Sequence, residues 1–204
     1  MSIYREVLGD KFEQLHPMLQ KRFGFSENKP FAASGVMKRV ASGKKWLYPI
    51  YWAGTKVKLL FPEQGTNIAF SIVNTPQIND HGEEEIYWER TFYFPNKIRY
   101  FHARMSLDRE KNIVKDYLGE PAVLYSDLAF AVTDDGGLRI SSKRQRLVLG
   151  KLEIPLPRLL QGQAVVTERY DEQHDAVRIK VEVKNPILGL IFAYEGEFAC
   201  HAHA

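Results

Sequence analysis

The sequence has little cysteine and little charge imbalance, and no segment suited to crossing a bilayer. Its one cysteine, Cys200, excludes an internal disulfide. Residues 1–10 have neither the basic start nor the apolar run of a signal peptide. Together these point to a reducing interior, and the expected location is cytoplasmic. The apolar run from Trp46 to Ala53 spans only eight residues and contains Pro49. A membrane-spanning helix needs about 20. The 28 basic and 25 acidic residues leave a formal charge of +3, too small to carry a general case for nucleic-acid binding.

Chemical signatures are equally scarce. The sequence contains no Gly-x-Ser-x-Gly elbow, no Gly-x-x-x-x-Gly-Lys phosphate loop and no Gly-x-Gly-x-x-Gly, so the usual hydrolase and nucleotide readings fall away and no cofactor is expected. No Cys-x-x-Cys pair supports a metal site. The tail Cys200-His201-Ala202-His203 places soft ligands together, but as a chain end it reads as frayed rather than metal-binding. Glu83, Glu84 and Glu85 read as a solvated turn.

Aromatic residues are plentiful: 12 Phe, 10 Tyr and 3 Trp in 204 residues suit a wide, half-buried sheet. The N-terminal part, 2–23, reads as two short helices. Tyr4, Leu8, Phe12 and Leu15 share one stripe, and Met18, Leu19 and Phe23 continue it after Pro17. Asp10 with Glu13 resembles a capping box, and Gly24 is a natural stop. Gly35 to Ala41 reads as a first strand. Trp46, Ile50, Ala53, Val57 and Leu60 then recur at helical spacing, which predicts a covering helix over 45–61, bent by Pro49 and Gly54 and closed by Pro62.

From Thr66 the period becomes two, and strands are expected near 66–74, 85–94, 97–107, 111–118, 122–132, 137–149, 163–171, 174–184 and 189–199. Val177, Ile179, Val181 and Val183 alternate with Arg178, Lys180, Glu182 and Lys184, the pattern of a strand with one buried face. Short turns such as Pro95-Asn96 and Asp134-Asp135-Gly136-Gly137 predict antiparallel neighbours. The expected fold is α+β and mainly antiparallel β. One domain over 1–204 carries a large curled sheet or barrel, 66–199, with 147–160 as an irregular connection.

Candidate site residues come from the alternation. Ile86, Trp88, Arg90, Phe92 and Phe94 share a face, so a guanidinium stands in an apolar row. Glu168, between Val166 and Tyr170, is a candidate ion-pair partner. Alternatively Arg90 anchors an anionic head group while Trp88, Phe92, Tyr194 and Phe198 line a pocket. His102 shares a row with Tyr100 and Arg104, expected to be solvated; turned into a cavity it becomes a general-base candidate, with Glu168 and Tyr194 the other residues an enzyme would use. Lysines interleaved with aromatics over 44–61 form a second candidate surface, where Trp46, Trp52, Lys45 and Lys56 would meet a membrane or a protein. Lys143, Arg144 and Arg146 read as an exposed sheet face, and no nucleic-acid partner is expected.

Tyr4-Arg5-Glu6-Val7-Leu8-Gly9, Trp88-Glu89-Arg90-Thr91-Phe92, Pro155-Leu156-Pro157, Asn185-Pro186-Ile187-Leu188-Gly189 and Tyr194-Glu195-Gly196 follow in an order that resembles the bacterial family called domain of unknown function 4166, over about Tyr4 to Phe198. The family has no established activity, so the resemblance implies no catalytic residue. It marks Trp88, Arg90, Phe92 and the Pro186 to Gly189 turn as motif positions. The fold and composition lead to a non-enzymatic module holding an amphiphilic small molecule, with an interaction or membrane-peripheral domain and an enzyme as the alternatives.

Overall fold

The computed structural model describes residues 2–24, 30–79 and 82–200. Two helices open the chain, α1 (Ile3–Leu8) and α2 (Pro17–Phe23). Ser2 caps α1 by accepting from the Tyr4 N–H, and the His16 imidazole caps α2 by accepting from the Met18 N–H. The expected Asp10–Glu13 capping box does not form. α1 ends at Gly9, whose φ of 54° suits glycine, and Gly9–Gln14 continues as a tight 3-10 turn. Pro17 occupies the first turn of α2, as its missing N–H allows.

Among the described residues twelve strands follow: β1 (Phe31–Ser42), β2 (Gly65–Ile78), β3 (Glu84–Phe94), β4 (Lys97–Tyr100), β5 (Ala103–Asp108), β6 (Ile113–Gly119), β7 (Ala122–Val132), β8 (Leu138–Leu149), β9 (Leu152–Pro155), β10 (Gln163–Asp171), β11 (Ala176–Asn185) and β12 (Gly189–Cys200). The strand expected over 97–107 is divided, because the Phe101 N–H donates to the Arg90 carbonyl and the His102 N–H to the Lys58 carbonyl, which takes two residues out of the ladder. The connection expected to be irregular, 147–160, holds β9, which folds back on the end of β8.

Every pairing is antiparallel, and β10 pairs with β8 as well as with β11. That pairing closes a ten-stranded barrel in the order β8, β10, β11, β12, β1, β2, β3, β5, β6, β7. β4 and β9 lie off this circuit on the ends of β3 and β8. Closure leaves these ten strands no open edge, the liability of an open sheet of this width.

The predicted alternation holds. Ile86, Trp88, Arg90 and Phe92 are buried on β3, as are Val177, Ile179 and Val181 on β11. Interior width grows with strand number, and eight strands leave room only for side chains or one small ligand. Ten strands enclose more, and the N-terminal helices fill one end. Tyr4, Phe12, Leu19 and Phe23 are almost fully buried there. The Trp88 indole N–H donates to the Tyr4 hydroxyl at 2.7 Å.

The plug carries a charge. Arg22 of α2 is 1% exposed and forks onto Glu168 of β10, itself fully buried, with Nε–Oε2 at 2.5 Å and Nη2–Oε1 at 2.9 Å. Rings of Phe31, Phe198 and Trp88 stand around the guanidinium. Glu168 is therefore the partner of Arg22 and not, as the strand pattern alone suggests, of Arg90.

Breaking such a pair from one side strands a buried charge. Arg22→Met is expected to lower unfolding stability by about 3–5 kcal/mol, and adding Glu168→Leu to recover most of it. Urea unfolding of the two single variants and the double variant measures this; a loss under about 1 kcal/mol in Arg22→Met would mean that the pair does not hold the plug.

Candidate functional site: a cavity at the open end of the barrel

The other end is covered by a 3-10 turn at Lys45–Leu47 and helix α3 (Tyr48–Lys56). α3 stops at Val57, short of the expected 61, and its buried side is Leu47, Tyr51 and Gly54. Of the expected buried stripe, Trp46 and Ala53 face outward, Ile50 stands more than half exposed at the cavity's mouth, and only Val57 and Leu60 are half-buried. Two local contacts set this rotation. The Tyr51 hydroxyl accepts from the Gly43 N–H and donates to the Ile191 carbonyl. Gly54 lies against Leu60, where a Cβ would come within 2.8 Å of the carbonyl oxygen.

A half-buried polar clasp holds the end of α3. Lys58 and Tyr87 both donate to Glu120 Oε2, at 2.7 and 2.6 Å, and the Tyr87 hydroxyl also lies 2.8 Å from His102 Nδ1. His102 is 4% exposed, so the expected solvated row is closed over at this residue by the Lys58 segment and the β6–β7 turn. Burial holds the His102 pKa below its ordinary value, and contacts with Lys58 and Tyr87 pull Glu120 down to about 2.

Two side-chain amides fix the rest of the rim. Gln145 of β8 donates to the Gly162 carbonyl and accepts from the Gly162 N–H. Asn185 donates to the Leu159 and Gln161 carbonyls and accepts from the Ile187 and Leu188 N–H groups. They join segment 157–162 to the barrel and to the 185–189 turn.

Between plug and rim lies a cavity of about 320 Å³. Its wall is mainly aliphatic, from residues such as Met105, Leu128, Ile140, Val166, Ile179 and Val181. Among the polar side chains that interrupt it, Tyr51, Ser126, Ser142 and Gln145 are hydrogen-bonded within the protein, and Arg90 of β3, Asp116 of β6 and Tyr194 of β12 each keep an atom unpaired among the described residues. Arg90 Nε donates to the Phe101 carbonyl at 2.8 Å, with its guanidinium carbon 3.9 Å from the Phe101 ring centre. Arg90 Nη2, Asp116 Oδ1 and the Tyr194 hydroxyl are buried without a hydrogen-bond partner among the described residues. Burial raises the Asp116 carboxyl to about 7, against a smaller downward pull from the Arg90 charge. Burial likewise raises Tyr194, against a smaller downward pull from Arg90 beside it.

Of the five residues expected at a binding site, Trp88, Arg90 and Tyr194 line this cavity. Phe92 packs instead among Phe61, Phe70 and Tyr194, and Glu168 is occupied by Arg22. His102, Glu168 and Tyr194 are not gathered at one place: His102 belongs to the clasp and Glu168 to the plug. Asp116 went unnoticed although the signal was present, a carboxylate between Val114 and Leu118 on one strand face. Arg22 was legible too, three residues after Leu19 on the buried stripe of α2. The side chain of Cys200 and residues 201–204, with the possible metal ligands, lie outside the described residues. No group of metal-ligating side chains and no helix long and apolar enough to cross a membrane occurs among the described residues.

The chain is thus a closed antiparallel β-barrel, plugged at one end and hollow towards the other. It belongs to the family described as Domain of unknown function (DUF4166), which matches residues 15–198. It is 36% identical over 197 residues to the uncharacterized protein YndH of Bacillus subtilis (strain 168), covering 97% of this chain and 96% of that one. No solved structure matches it.

Asp116 gives the cavity a pH signature. Its folded value of about 7 lies above its ordinary 3.8, so the native state holds a proton that the unfolded chain has released between those values. Its contribution is neutral below that window and destabilises progressively as pH rises through it. Asp116→Asn should therefore match the wild type near pH 4 and exceed it increasingly up to pH 7–8, by at most on the order of 4 kcal/mol. Urea unfolding across pH 4–8 measures the difference; a pH-independent offset would show that Asp116 titrates normally.

Proposed function

We propose that the barrel is a non-enzymatic module that holds one amphiphilic, lipid-like molecule, its apolar body in the cavity and its polar head at Arg90, Asp116 and Tyr194. The observation that carries this reading is the convergence of three buried polar atoms without partners on an otherwise apolar cavity of about 320 Å³. A buried polar group without a partner costs about 1–3 kcal/mol, and a fixed cluster of them in an apolar wall is the usual form of a small-molecule site. Arg90 Nη2 offers a donor, Asp116 an acceptor when ionised and a donor when protonated, and Tyr194 either. A small oxygen-bearing head, a carboxylate above all, complements that set.

The separation of His102, Glu168 and Tyr194, with His102 in the clasp and Glu168 on Arg22, supports binding over the catalysis that those three residues would have carried.

Native mass spectrometry of the purified protein, followed by organic extraction, tests the reading. The expected result is a stoichiometric amphiphile whose occupancy falls about ten- to a hundredfold in Arg90→Ala, the usual weight of a hydrogen bond to a charged group. A wild-type protein that stays empty after incubation with long-chain carboxylates and monoacylglycerols would overturn it.

A further inference from the structure

The cavity mouth is surrounded by apolar side chains that none of the described residues covers. Trp46, Ile50 and Trp52 on the outer side of the α3 segment, Leu159 and Leu160 on the 157–162 segment, and Ile187 on the last turn are all more than half exposed. Each is a lining residue of the cavity or adjoins one in sequence: Ile50 and Leu160 line it themselves, and Leu47, Tyr51 and Leu188 are the neighbours of the others. The β8–β9 hairpin extends the same surface. Leu147 lines the cavity, Leu149 follows on the same face, and Ile154 and Leu152 stand opposite them across the hairpin. A soluble monomer seldom leaves so much contiguous apolar surface bare unless it meets something.

Charge identifies what it meets. Residues 44–62, 154–162 and 184–194 contain no Asp or Glu. Glu153, beside them, is occupied by Arg146 and Tyr117. Lys44, Lys45, Lys56, Lys151 and Arg158 are exposed, and no carboxylate pairs with them among the described residues. Lys56 Nζ lies 5.4 Å from the Trp52 ring centre. Trp and Tyr set among lysines, around an aliphatic patch whose neighbouring acids Glu120 and Glu153 are paired with Lys58 and Arg146, match the region between headgroups and acyl chains of an anionic bilayer. A protein-binding patch would ordinarily be depleted in lysine.

We infer that the open end of the barrel docks on an anionic lipid surface, with the tips of α3, the 157–162 segment and the β8–β9 hairpin entering the interface. In this pose the apolar rim runs without a break from the acyl region into the cavity. The inference goes beyond the binding reading and does not require it: a barrel that docks and a barrel that holds a ligand are separate measurements.

Full-length protein is mixed with vesicles of phosphatidylcholine alone or with about one-third phosphatidylglycerol, and binding is read by co-sedimentation and tryptophan emission. The expected result is binding to the anionic vesicles with a blue shift from Trp46 and Trp52. Lys45→Ser with Lys56→Ser should weaken binding about thirtyfold, on the ordinary contribution of a cation near such a surface. Leu149→Ser with Leu152→Ser should weaken it independently, with unchanged near-UV circular dichroism. The same variants should keep the cavity occupancy seen by native mass spectrometry, so an empty cavity beside intact docking would sink only the binding reading. Wild-type protein that ignores anionic vesicles, variants that bind them as well as wild type, or a dimer in solution that dissociates on Leu149→Ser with Leu152→Ser would each overturn the docking inference, the last by assigning the face to a second copy of the chain.

Discussion

Everything in this molecule depends on the seam between β8 and β10. Only four residue pairs, from Val165–Ser141 to Glu168–Leu138, close the circuit by backbone pairing. Towards the mouth, side chains continue the seam: Ser142 Oγ accepts from the Ala164 N–H, and the Gln145 amide spans to Gly162. At the other limit the last paired residue is Glu168, the carboxylate that receives Arg22 from the plug. One strand edge therefore closes the barrel, anchors the N-terminal helices and sets the width of the opening. A closed antiparallel ladder is cooperative where backbone pairs to backbone, and looser where side chains substitute for it.

The two interior arginines show how context decides what a buried charge does. Both lie near Trp88, with guanidinium carbons 5.4 and 5.5 Å from its ring centre. Arg22 has a bidentate carboxylate and a ring of aromatic faces, so its charge is neutralised within the fold. Arg90 has a carbonyl, the face of Phe101 and a nearby Asp116 whose ionisation burial opposes. Burying an uncompensated charge is among the costliest features a fold can keep. Arg90 lines the cavity and Arg22 does not, which separates the group facing open space from the group whose charge is spent within the fold.

The strands were legible in the sequence because alternation reports burial directly, and in a barrel each strand has one inner face. The same regularity exposed Arg90 as an anomaly and contained Asp116 as a second. Pairing partners were not legible, since the choice of Glu168 between Arg22 and Arg90 depends on how α2 enters the barrel. The rotation of α3 was missed for a related reason. Apolar residues occupy both of its sides, Leu47 and Tyr51 inside with Trp46 and Ile50 outside, so helical period alone gives two equally good stripes. Tertiary contacts, the Tyr51 hydroxyl and the Gly54 approach, choose between them. β9 was hidden by Pro155 and Pro157 nearby, which read as a loop although Pro155 ends an outlying strand, where no further ladder bond is required of it.

That second apolar side of α3 ties the cavity to the surface around it. A lid that served only to close a hollow barrel would need one apolar face, and its solvent side would be polar by the ordinary logic of amphipathic helices. Here the solvent side carries Trp46, Ile50 and Trp52, and the unrelated segment at Leu159 and Leu160 and the hairpin at Leu149 and Leu152 repeat the pattern. Three segments, the hairpin and the Leu159–Leu160 segment close together in the chain and α3 far from both, expose apolar groups around one opening, and each is held by a specific polar anchor: Tyr51, Asn185 and the β8–β9 ladder. Exposure maintained by such anchors is a built property of the mouth rather than a failure of burial, and it sets apolar surface around the opening of the cavity.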